Sequence, residues 1–374
     1  MSSVPIELPL KPSEAAALAD LIFQHAEGRP LTDDVRNRMS GRLSSLELTS
    51  MVPYIGSLQK DPVHSSAYYI AVDADSGPAP DSLLLRMALA SSPASAHFPD
   101  SILIGRMRPG GGREIVVNAI PFAVTDRENI RTFTGRIDRS FYPRPQGAQS
   151  AVSLVIRRPL QEIPAAFDAF RTISRKYGVN LASLTATANS SGEEIYCAAL
   201  WAAIRAGWRE GYNLGLTLPE NLEAATLAVS GAPGYTRYSI PAPAEQLFDY
   251  IHTVKSPQSS SKYFDFEFSL AASAEPTTAG QLNGHLESLK AGGRPVQLVA
   301  PKLTGLDDVA ALAEVSRQFN ATLSFDLGES QNERALQQIG RSTGGRFNVT
   351  VEAGKGARAN IAERLVSVAA GLRG

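Results

Sequence analysis

Three charged residues directly follow apolar runs, where charge is awkward unless it faces a polar pocket. Lys302 follows Leu298–Pro301, Asp326 ends Ala321–Asp326, and Glu352 follows Phe347–Val351. A carboxylate beside a reacting carbon can take and return a proton, and a lysine can hold a substrate carboxylate or an enolate oxygen. Glu329 follows Asp326 closely and joins the proton-transfer candidates. Arg157, Asn189, Glu220, Glu275 and Lys355 also come just after apolar runs and are candidate substrate-binding groups. The chemistry these residues suit is proton transfer next to a carbonyl on a small polar metabolite. For single acids, helix capping is the competing explanation. Glu193, Glu220 and Asp307 stand where acidic side chains favour helix N-termini.

Other chemistries find less support. The five histidines, His25, His64, His97, His252 and His285, form no pair at ligand spacing, which leaves for a metal only an all-oxygen site of rim carboxylates, suited to magnesium or manganese. Gly354-Lys355-Gly356 could hold an anion above a helix, although glycines also make tight turns. Pro109-Gly110-Gly111-Gly112 reads as a hairpin tip rather than a nucleotide cradle. There is no Gly-x-Ser-x-Gly elbow. Cys197, the single cysteine, lies in a helical stretch and reads as a buried small side chain. A lone cysteine permits no intrachain disulfide and suits a reducing, cytoplasmic setting. A lysine Schiff base at Lys302 or Lys355, as in lyases and aldolases, remains a third chemistry.

The positioning elements follow from the rhythm of the chain. After residue 150, eight apolar strand-like runs alternate with eight amphipathic stretches, from Val152–Ile156 to Arg358–Ala370. That rhythm predicts a (β/α)₈ barrel over residues 149–374, with a doubly wound open sheet as the other arrangement. The runs read as mostly apolar, as in a parallel sheet covered on both faces. In such a barrel, the loops after the strands carry the chemistry.

Residues 1–148 predict a smaller α+β domain. Helices are expected near residues 12–25 and Thr32–Leu48, followed by strands at Ala67–Val72, Ser82–Ala90, Ser101–Arg106 and Arg113–Ile120. The last two form a hairpin, and Asp138–Ser150 forms a linker. The 374 residues are 43% hydrophobic and 20% charged, enough to bury a core. A net charge of −1 disfavours nucleic acid and anionic membranes as partners. No stretch is apolar enough to span a bilayer, and the first residues carry no signal-peptide pattern. A homo-oligomer is compatible with all of this.

The stretch from Phe264 to Leu365 resembles the C-terminal barrel half of the tagaturonate epimerase family. Four segments carry the likeness. They are Phe266-Glu267-Phe268-Ser269-Leu270 with Glu275-Pro276-Thr277-Thr278; Leu298–Gly305; Leu323–Ser330; and Ile339–Gly345 with Asn348–Gly354. The resemblance implies a (β/α)₈ barrel, a sugar or sugar-acid substrate, isomerase or epimerase activity in carbohydrate metabolism, and a divalent metal. Yet the family's Asp-Glu pair reads Ala271 and Ala272 here, and its two histidines read Asp326 and Asn348. The implied metal ligands are therefore not retained. A non-catalytic barrel that binds a sugar or a partner, having lost that metal site, is the alternative. Lys302 keeps a positive charge where the family has arginine.

Overall fold

In the computed structural model, the described residues are 51–53, 59–60, 66–73, 82–90, 97–99, 101–107, 114–147, 149–187, 192–231, 234–255, 265–270, 275–294, 296, 298–302, 308–327, 333–353 and 358–373. The helices expected near 12–25 and Thr32–Leu48, and the turn at Pro109–Gly112, lie outside them. The chain divides into two compact units. One takes residues 1–141 with 200–209, and the other takes 142–199 with 210–374.

The first unit contains an antiparallel sheet. Its strands are β1 (Met51–Pro53), β2 (Gln59–Lys60), β3 (Ser66–Asp73), β4 (Ser82–Leu89), β5 (Ile102–Met107) and β6 (Ile115–Pro121), in the order β1-β3-β4-β6-β5 with β2 against β3. The two strands expected to form a hairpin, β5 and β6, do pair antiparallel. A short helix, α1 (Arg127–Thr132), follows. Tyr68, Phe98, Phe122, Phe133 and Phe141 are fully or almost fully buried and meet edge-on or tilted, a geometry that suits the aromatic quadrupole.

The second unit is a closed ring of eight parallel strands. The strand–helix series runs β7 (Ala151–Ile156), α2 (Pro159–Tyr177), β8 (Ala182–Thr187), α3 (Gly192–Ala206, whose residues 200–206 fall in the first unit), β9 (Asn213–Thr217), α4 (Leu222–Ser230), β10 (Arg237–Pro241), α5 (Gln246–Lys255), β11 (Asp265–Ser269), α6 (Ala279–Ala291), β12 (Leu298–Ala300), α7 (Val309–Gln318), β13 (Thr322–Asp326), α8 (Glu333–Ser342), β14 (Phe347–Glu352) and α9 (Arg358–Arg373). Each strand pairs with the next in sequence. The ring closes where Asn348–Glu352 of β14 lie beside Ala151–Val155 of β7. This is the (β/α)₈ barrel expected from the rhythm, and the open sheet is excluded.

The strands are not apolar on both faces, and here the expectation is corrected. One face is apolar, with Leu154, Leu184, Leu216, Ile240, Phe268, Phe325 and Val349 almost completely buried. Each such side chain contributes about 1.5–3 kcal/mol by leaving water. The helices supply the matching surface. In α2, Ile163, Phe167 and Phe170 recur at helical spacing and are buried. The alternate residues are polar: Ser153, Ser183, Asn213, Arg237, Ser239, Asp265, Glu267, Ser324 and Asn348. Of these, Asn348 and Glu267 meet across the ring, so the polar face is the interior.

Candidate active site

The rim is built first by the topology. Lys302, Asp326, Glu352 and Arg157 follow or end β12, β13, β14 and β7, four consecutive strands of the ring. Asp326 is exposed and shares the strand face of Ser324, while Lys302 is partly buried. The Lys302 carbonyl accepts a hydrogen bond from the Thr277 N–H. Arg157 Nη2 donates to Glu352 Oε2 at 2.6 Å, an ion pair of two solvent-accessible side chains. Along this arc two carboxylates, Asp326 and Glu352, are flanked by two cations, Lys302 and Arg157.

Local capping sets these positions. Glu162, in the first turn of α2, is 1% exposed. Its Oε2 accepts the N–H of Arg157 at 2.7 Å and of Arg158 at 2.9 Å, and Arg158 Nε approaches its Oε1 at 3.2 Å. That buried carboxylate fixes the loop from which Arg157 reaches the rim. After β11, the loop ends in a capping box. The Thr278 hydroxyl accepts the Gln281 N–H, and the Gln281 side chain accepts the Thr278 N–H. Glu275, before this cap, is exposed. Glu220, also exposed, precedes Asn221, and it is Asn221 that caps α4 by accepting the Ala224 N–H. Asn189, Glu329 and Lys355 lie outside the described residues.

Inside the ring is a polar layer that the strand-end reading missed. Glu267 of β11 lies three strands from β14, so their side chains can meet only across the lumen. Asn348 Nδ2 is 3.2 Å from Glu267 Oε2 and 2.8 Å from Ser324 Oγ. Ser239 Oγ donates to Glu267 Oε1 at 3.2 Å. On the other side of the ring, Ser183 donates to Ser153, and Ser153 shares a hydrogen bond with Thr185. Strict polar–apolar alternation in Asp265-Phe266-Glu267-Phe268-Ser269 is the sequence signal that marks this face.

Below Glu267 the lumen is packed. Arg237 and Asp265 begin neighbouring strands in register, and both are buried. Burial pushes the Arg237 pKa down, while the charges of Glu267 and Asp265 oppose that shift. Burial raises the Asp265 carboxyl pKa, opposed by Arg237 and by the N–H groups of Gln146 and Gly147. Gln146 N–H reaches Asp265 Oδ2 at 2.8 Å, and Gly147 N–H lies 3.1 Å from both carboxylate oxygens. Gly147 has φ +63°, a conformation that favours glycine.

A divalent metal, implied by the motif resemblance, finds no ligand set among the described residues: no three His, Cys, Asp or Glu side chains gather there as ligands. Asn348, at one of the positions where that family has histidine, directs its amide nitrogen to Glu267 and Ser324.

No protein-family model matches the sequence, and no curated protein matches it. Solved structures do match. The chain is similar to the native fructuronate-tagaturonate epimerase of Cohnella laeviribosi, with a TM-score of 0.60 and 14% identity over 85% of this chain and 74% of that one. A structure of the same epimerase complexed with one glycerol gives a TM-score of 0.57 and 14% identity, over 80% and 72%. At this identity the likeness is one of fold, and it falls on the enzyme whose motifs the segment Phe264–Leu365 resembles.

Proposed function

We propose that this barrel isomerises or epimerises a sugar or sugar acid by moving a proton next to a carbonyl. The supporting observation is the hydrophilic lumen, lined by hydroxyls, amides and Glu267, beneath a rim on which two carboxylates are flanked by two cations. Such a surface offers hydrogen bonds to a polyhydroxylated chain and little to an apolar one. Lys302 and Arg157 hold a substrate carboxylate or the enolate oxygen. Asp326, Glu329 and Glu352 exchange the proton, and Asn189, Glu220, Glu275 and Lys355 contact the substrate from the remaining loops. The setting is the cytoplasm.

Incubating the protein with a panel of keto sugars and sugar acids in heavy water tests this reading. Deuterium should enter next to the carbonyl, followed by NMR. Asp326→Asn should slow exchange by a factor on the order of 10²–10⁴. Absence of exchange with every compound would sink the reaction. A second reading, a sugar-binding barrel without catalysis, draws support from the Arg157–Glu352 pair, in which two rim charges neutralise each other. Thermal stabilisation by a sugar without any exchange would favour it.

A further inference from the structure

Depth and access meet at Glu267. Beneath it, Arg237, Asp265 and Asn213 are buried; beside it, Asn348, Ser324 and Ser239 are buried too. Glu267 itself is only partly buried, as are Ser269, Ala300 and Thr350 nearer the rim. It thus stands between the buried Asp265 below and the exposed Asp326 at the rim. Neutral donors from two other strands, the Ser239 hydroxyl and the Asn348 amide, hold its two oxygens in one orientation. Each oxygen keeps another lone pair.

We infer that the ligand pocket continues below the rim and ends on Glu267, which takes the proton from the substrate's reacting carbon. The last step rests on the proton-transfer reading above. The C–H bond breaks, its proton forms an O–H bond with Glu267, and the electron pair moves to the carbonyl oxygen as an enolate held by Lys302 or Arg157. Return of a proton, from Glu267 or from a rim acid on the opposite side of the substrate, reforms the C–H bond. The step is redox-neutral and needs no co-reactant. Rim acids above and one carboxylate below suit inversion at carbon, because a proton can leave on one side and return on the other.

The first test needs no known substrate. Full-length protein is treated in its native state with a water-soluble carbodiimide and glycine ethyl ester, and the modified carboxylates are mapped by mass spectrometry. Glu267 should be tagged and Asp265 spared. A sample in which Asp326 is tagged and Glu267 is untouched overturns the inference, because the lumen is then closed to solutes. The second test follows deuterium incorporation into fructuronate and tagaturonate. Glu267→Gln should lower exchange at least ~100-fold. Glu267→Asp, which keeps the charge and fold but retracts the carboxylate, should fall between the two. Exchange by E267Q at the wild-type rate overturns the base assignment alone. If the wild type exchanges neither compound nor any in the wider panel, the proposed reaction fails, and the tagging result still decides whether the pocket reaches Glu267.

Discussion

Glu162 and Glu352 both lie within hydrogen-bond reach of an arginine, yet the two pairs should contribute very differently to stability. The Arg157–Glu352 pair is well hydrated, so Arg157→Ala should cost less than about 1 kcal/mol. Glu162 is buried beneath two backbone N–H groups, and Glu162→Ala leaves both donors without their acceptor. That change should cost about 1–3 kcal/mol, and it should also weaken ligand binding through the misplaced Arg157. Urea denaturation of both variants tests the order. Asp265 adds a pH dependence. Its carboxyl pKa in the folded protein lies above the usual 3.8, so the folded state binds that proton more tightly than the unfolded chain does. This contribution favours folding at low pH and is lost as pH rises from about 4 through the folded value. Asp265→Asn has no such proton to lose. Whatever its fixed cost, its stability relative to wild type should improve between pH 4 and pH 7. A gap that stays constant with pH, measured by chemical denaturation, would refute this.

At the scale of elements, the helices can be challenged at their ends and their contacts. Thr278→Ala removes the hydroxyl half of the α6 capping box and should cost about 1 kcal/mol. Gly340 of α8 has no room for a side chain, because an added Cβ would overlap the backbone carbonyl of Leu372 in α9. Gly371 of α9 is likewise tight against Leu336 of α8. Gly340→Ala should therefore destabilise by about 1–3 kcal/mol, despite alanine's better helix propensity. A melting temperature equal to wild type would contradict the close packing. The strand–helix rhythm was legible because apolar runs of strand length recur between amphipathic stretches. The places of Lys302, Asp326 and Glu352 were legible for the same reason, since each directly follows such a run. The lumen was hidden by reading each run as uniformly apolar. Asn213 and Arg237 begin their strands, where a polar residue looks like the end of a loop. Only closure of the ring turns those side chains toward a shared interior.

At the scale of the whole molecule, the barrel depends on the junction of its last strand with its first. Cutting the chain after Arg346 removes β14 and leaves β13 and β7 as unpaired edges. Such a protein should bind a hydrophobic dye and elute as an expanded or aggregated species on size exclusion. A compact monomer would show that the junction is dispensable. The segment expected to be a linker has a further part in this unit. Just before β7, Arg144 donates its N–H to the Tyr212 carbonyl, and Gln146 and Gly147 donate theirs to Asp265, all at the starts of barrel strands. With Arg237 and Asp265 buried above it, this strap makes the barrel a cul-de-sac rather than a tunnel. Under the proposed isomerisation, whatever enters would have to back out by the same door, a product still inside would exclude the next substrate, and initial rates should show competitive inhibition by product.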